Sequence, residues 1–196
     1  MFIDKINDQM KKNNYVLSTE QLLGIGMSKT TLTNYVREGI LERCEHGYYT
    51  IPGAIEDDMY LLMLHSKHIV FSHETALFLN GLSDRTPFVH VVTIPSNAAI
   101  PASIKDKCKC YYIKPELYNI GITEKKTTLG NTVRCYDAER TLCDVLRSRN
   151  RIDEETVISA IKNYGKYNDK NLHNLGKYAE LFKVSRQVRQ YMEVLL

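Results

Sequence analysis

Between Ser28 and Arg37 the chain crowds three threonines, an asparagine, a lysine and an arginine behind a single serine. Short hydroxyl and amide side chains suit base edges and phosphate oxygens, and Lys and Arg suit guanine and phosphate. Threonine is a mediocre helix former, so concentrating it on one short helix costs intrinsic stability. Contact chemistry is one explanation for accepting that cost; a merely solvated polar helix is the other. On a helix capped by Ser28, the residues Lys29, Thr30, Thr33, Asn34 and Arg37 fall mainly opposite Leu32, Tyr35 and Val36. A few residues on, Arg43, His46 and Tyr48 flank a turn from which they could reach a backbone or a minor groove. The candidate nucleic-acid contacts are therefore Ser28, Lys29, Thr30, Thr31, Thr33, Asn34 and Arg37, joined by Arg43, His46 and Tyr48.

Other reactive types carry less. His73-Glu74 would need a second histidine four residues after the first to make a helical zinc site, and that position is Leu77. The pair reads instead as polar contacts at a helix start. Asp84-Arg85 reads as an ion pair in a loop. In the "YDAERTLCDVLR" segment Asp137 reads as a cap, Glu139 as first-turn charge favoured by the helix dipole, and Cys143 as core. Arg140 and Asp144, four apart, are expected to pair on the helix surface. No glycine-rich phosphate loop or nucleophile elbow occurs. The five cysteines are odd in number and lack framework spacing, so they are expected reduced. Cys108 and Cys110 would share one face of a strand, but no second pair stands at zinc spacing. The expectation is a non-enzyme with no catalytic residue, metal or cofactor.

The elements that must position the contacts follow from periodicity and punctuation. Phe2, Ile3, Ile6 and Met10 recur at helical spacing, and "KKNN" stops the helix. Ser18 or Thr19 caps a short helix, Gly24 and Gly26 punctuate the chain, Ser28 caps the polar helix, and Gly39 ends it. Ile40 and Leu41, then Tyr48, Tyr49 and Ile51, flank a polar stretch and read as two strands around a His46-Gly47 turn. Three helices and a hairpin in residues 1–54 make the layout of a winged helix-turn-helix.

Residues 55–196 read as a second, α+β domain. Helices are expected over Asp57–Lys67 and, capped by Ser72, over Ser72–Asn80. "FVHVVTIP" is an alternating strand and "CYYIKP" its neighbour. "TTLGNTVRCYD" holds a turn at Gly130-Asn131 between two more strands. Four helices follow, beginning at Asp137, Asp153, Asn171 and Ser185. The fold class is thus α+β, a winged unit followed by a small mixed sheet and a C-terminal group of helices.

The hydrophobic content of 43% with 25% charged residues is that of a globular chain. The start has acidic residues and no apolar run of signal-peptide type, and Tyr60–Leu64 is too short to span a bilayer, so a cytoplasmic protein without membrane association is expected. Net charge is +3, unevenly spread: residues 1–55 are neutral, 56–100 carry −3 and 101–196 carry +6. Phosphate neutralisation dominates affinity for nucleic acid, so a neutral winged unit needs help from a dimer, cooperative copies or the basic half. Lys177, Lys183, Arg186 and Arg189 form the candidate second surface for nucleic acid or a partner. Arg186 and Arg189 share a face, with a break near Ser185 separating Lys183.

Three blocks, "MSKTTLTNYVREGILERCEHGYYTIP", "SHETALFLNGLSDRTPFVHVVTIP" and "YDAERTLCDVLRS", together resemble the AbiEi family. These are antitoxins and transcriptional autorepressors of bacterial abortive-infection, type IV toxin–antitoxin systems. The resemblance implies a winged-helix domain that binds inverted repeats in its own promoter, as a monomer or cooperative copies. It implies a C-terminal domain that opposes a nucleotidyltransferase-like toxin without a stable complex. Carried residue by residue, it places the recognition helix at Ser28–Arg37 and the wing at Arg43–Tyr49. A rival reading is a winged-helix protein-interaction module without sequence-specific DNA binding.

Overall fold

The computed structural model describes the backbone of residues 2–195 and the side chains of 3–101 and 104–191. Contacts divide it into two compact units, Met1–Leu61 with Thr128–Asn131, and Leu62–Thr127 with Thr132–Leu196.

The first unit runs α1 (Phe2–Lys12), β1 (Leu17–Ser18), α2 (Thr19–Gly24), α3 (Lys29–Arg37), β2 (Glu42–Glu45) and β3 (Tyr48–Thr50). α1 buries Ile6 and Met10 as its spacing predicts; Ile3 is exposed, and the side chain of Phe2 lies outside those described. These two join Leu17, Leu22, Met27, Leu32 and Leu41 in one core, with Tyr35, Val36, Tyr49 and Ile51 packed against it. Ser18 caps α2 in a full capping box with Gln21. The sheet has the order β1-β3-β2, all antiparallel, with a bulge between Arg43 and Glu45.

Two details depart from the sequence reading. Ile40 and Leu41 do not open the first hairpin strand. Gly39 takes φ +70 after α3, and the next two amides both donate to the Tyr35 carbonyl, so this pair belongs to the helix end. β1 is only two residues long and has no alternation to read.

In the second unit, α4 (Asp58–His65), which starts in the first, leads to β4 (Val70–Phe71), α5 (His73–Leu79), β5 (His90–Pro95), α6 (Ala102–Lys105), β6 (Cys108–Ile113), α7 (Pro115–Tyr118), β7 (Ile122–Lys126) and β8 (Thr132–Tyr136). Then come α8 (Ala138–Arg147), a 3-10 turn (Arg149–Arg151), α9 (Glu154–Lys166), α10 (Leu172–Leu181) and α11 (Ser185–Leu195). The five-stranded sheet has the order β6-β5-β4-β8-β7 and is mixed, with β5–β6 and β4–β8 parallel. The expected helix over Asp57–Lys67 is shorter, because Asp57 stays outside it and caps the Tyr60 amide. Ser72 precedes α5 but makes no side-chain cap; its hydroxyl accepts from Thr93 on β5 instead.

α8 is the largest departure. Every residue from Ala138 to Leu146 is buried, so over this stretch no face of the helix meets water; its last residue, Arg147, is exposed. Arg140 does pair with Asp144 at 2.9 Å, but the two side chains are 0% and 5% exposed, not on the surface. Arg140 also donates to the Leu117 and Ile120 carbonyls and lies between the rings of Tyr136 and Phe182. Glu139 accepts from the Tyr164 hydroxyl and the Asn171 amide, which is a packing role and not a dipole charge in solvent. Polar groups are tolerated on all faces because nearly all of them find hydrogen-bond partners, Arg140 Nη2 being a buried atom that does not. Asp137 caps the helix through the Arg140 amide and Cys143 is fully buried, as predicted. Asp153 and Asn171 cap α9 and α10.

Candidate nucleic-acid interface

α3 is built to keep a polar face outward. Ser28 accepts from the Thr31 amide at 3.0 Å, and the two hydroxyls lie 2.8 Å apart. Leu32 is buried while Tyr35 and Val36 pack against the core. At roughly 100° per residue, Lys29, Thr33, Arg37, Thr30 and Asn34 occupy about 140° of the opposite side. Of these, Lys29, Thr30, Thr33 and Arg37 are exposed and Asn34 is half-buried. The hydroxyls are not all free: Ser28 and Thr31 serve the cap, and Thr33 Oγ1 donates to the Lys29 carbonyl. Among the described residues, the polar side chains of this face left unengaged are those of Lys29, Thr30, Asn34 and Arg37.

The hairpin turn sits at His46-Gly47, with Gly47 at φ +79. Arg43 Nη2 and His46 Nδ1 are 3.1 Å apart on this exposed tip, so two of the expected contacts are already held together. The Gly47 carbonyl accepts from both the amide and the hydroxyl of Thr19, tying the turn to the start of α2. Tyr48 is half-buried in β3, opposite Ser18 and Glu45, and contributes more to the sheet than to the tip. Asn131, in the same unit, donates to Asp57 and accepts from Asn14.

In the second unit Lys177 lies on α10, Arg186 and Arg189 on α11, and all are exposed. Lys183 is exposed at φ +58 in the break between those helices, where its amide bonds the Glu180 carbonyl. Helix spacing joins Arg186 to Arg189; nothing more draws the four into one cluster.

The sequence reading of three other groups is revised. Arg85 pairs with Glu155 at 3.2 Å, in place of Asp84. Glu74 pairs with Lys109 at 3.3 Å. His73 is buried with φ +47, its ring stacked on Tyr111 at 3.8 Å and its two nitrogens 3.0 and 3.1 Å from the hydroxyls of Ser72 and Ser148. Burial, helped by the Lys109, Arg140 and Arg147 cations, lowers its pKa to about 3. It does make polar contacts at a helix start, but they are buried. Nothing in the sequence around "SHET" signals a strained histidine, because its partners lie on β6 and beyond α8. Cys108 and Cys110 do share a strand face, with sulfurs 3.5 Å apart.

Residues 11–52 match the sequence profile of a family described as "Transcriptional regulator, AbiEi antitoxin". This is the family the three sequence blocks resemble, and the matched span holds α2, α3 and the hairpin. No curated protein sequence matches the chain. Among solved structures, the RV2827C protein from Mycobacterium tuberculosis is similar over 91% of this chain and 71% of its own, with a TM-score of 0.66 and 12% identity. At that identity the likeness concerns the fold alone. Among the described residues, no helix is long and apolar enough to cross a membrane.

Proposed function

We propose that this chain is a transcriptional regulator that binds DNA through its first unit, used as a winged helix-turn-helix. α3 enters the major groove with Lys29, Thr30, Asn34 and Arg37 leading, and the Arg43–His46 tip serves as the wing. The observation that carries the reading is a coincidence of span: residues 11–52, which match a family of regulators, include the helix whose polar face the fold keeps outward. The wing is pre-positioned, since the Gly47 carbonyl takes two hydrogen bonds from Thr19. A tip held in this way loses less entropy on binding.

On the same reading the protein is an antitoxin that controls its own operon and opposes a nucleotidyltransferase-like toxin, acting in the cytoplasm. The exposed Lys177, Lys183, Arg186 and Arg189 supply a second basic surface for DNA or a partner. The neutral charge of residues 1–55 favours the rival, a protein-interaction module. A promoter–reporter fusion separates them: the wild-type chain represses a reporter placed behind its own upstream DNA, and the Lys29→Ala/Arg37→Ala variant does not. Equal reporter output with wild type, variant and empty vector would favour the protein-interaction module.

A further inference from the structure

A cavity of about 430 Å³ opens in the second unit near the C-terminal end of α8. Its wall includes His73, Tyr111, Asp144, Arg147, Ser148 and Arg151. The inner part is fixed by cross-chain contacts. His73, on α5, stacks on Tyr111 of β6 and bonds Ser148 at the end of α8. A non-glycine residue at positive φ costs conformational energy and persists only where its surroundings over-determine it; such residues cluster at ligand sites. The imidazole is neutral near pH 7, so it adds no charge to the wall.

The charge comes from elsewhere. Arg147 and Arg151 are exposed on the cavity, and among the described residues neither guanidinium makes a hydrogen bond or ion pair. The wall's one acid, Asp144, is already engaged by Arg140 at 2.9 Å. Ser148 and Asn150 add neutral hydrogen-bonding groups. Two unpaired guanidiniums beside a hydroxyl and an amide, with the local carboxylate neutralised, fit a compact oxyanion better than a cation or an apolar ligand. Arginine's planar fork suits phosphate in particular.

We infer that this cavity binds a terminal phosphate group, from a mononucleotide or a nucleic-acid 5′ end, with Arg147 and Arg151 as its charged ligands. None of these residues belongs to the α3 interface, so this site stands or falls independently of promoter binding. Calorimetric titration of the full chain with AMP, adenosine, and an oligonucleotide with 5′-phosphate or 5′-hydroxyl tests it. AMP, the 5′-phosphorylated strand, or both should bind roughly tenfold or more tightly than their unphosphorylated counterparts, as loss of charge-assisted hydrogen bonds implies. Which of the two binds identifies the source. Arg147→Ala/Arg151→Ala and the exposed Asn150→Glu should each remove that preference, while Lys183→Ala/Arg186→Ala should keep it. Equal binding with and without phosphate, or a preference surviving in the arginine double variant and in Asn150→Glu, would overturn the assignment.

Discussion

Arg140 shows how a residue type misleads until its surroundings are known. Arginine four residues before aspartate is ordinarily a surface pair worth under about 1 kcal/mol. Here both partners are buried, and the guanidinium also bonds two carbonyls and lies between two rings. Arg140→Ala would strand Asp144 in the interior and should cost about 3–5 kcal/mol of stability. Arg85→Ala, whose pair with Glu155 is 75% and 70% exposed, should cost less than about 1 kcal/mol. Urea unfolding of the two variants checks the contrast; similar midpoints would contradict the burial of α8. His73 makes a second residue-level prediction. Its folded pKa lies near 3, below the ordinary 6.5. The unfolded chain therefore binds a proton that the folded one refuses between those values, and the contribution falls as pH drops through that window, by roughly 1.4 kcal/mol per unit. Asp137 and Asp144, with pKa values raised by burial, act in the opposite sense above 3.8. His73→Gln should flatten the stability loss between about pH 6.5 and 4. An unchanged acid limb would count against the buried neutral imidazole.

Elements were legible where their signals are local. Ser28, Leu32 and Gly39 mark the start, inner face and end of α3, because caps, helical spacing and left-handed glycines act within a few residues. β5 was plain from its β-branched run, although the expected alternation does not hold: from Val91 to Pro95 it is buried on both faces, as a central strand between β6 and β4. β1 and β4 were not, since a two-residue strand exists only through partners elsewhere in the chain. The all-round burial of α8 was hidden for the same reason: Leu117, Ile120, Tyr164, Asn171 and Phe182 supply its contacts from distant positions. Gly121, which leads into β7, is equally non-local. It has φ +77, and a Cβ there would meet the Arg140 Cβ at 2.7 Å. Gly121→Ala combines strain with a clash against the buried helix and should cost about 2 kcal/mol or more. Ser18→Ala, which removes only the α2 cap, should cost about 1 kcal/mol. Thermal or urea melts that ranked these two in reverse order would show that α8 can yield at Gly121.

For the whole molecule, charge is the quantity that function turns on. On the proposed DNA-binding reading, a neutral N-terminal region and a C-terminal half carrying +6 assign base contacts and phosphate attraction to different parts of the chain. Sequence preference should then reside in α3 and salt dependence largely in the basic half. Fluorescence anisotropy with the duplex upstream of the protein's own gene, against a scrambled duplex over a salt series, tests this most directly. The account predicts tight binding to the upstream duplex alone. Lys29→Ala/Asn34→Ala/Arg37→Ala should abolish that preference yet leave a salt-dependent residue of binding, which removal of Lys177, Lys183, Arg186 and Arg189 reduces. Weak binding, equal on both duplexes and unaffected by the α3 substitutions, would contradict it.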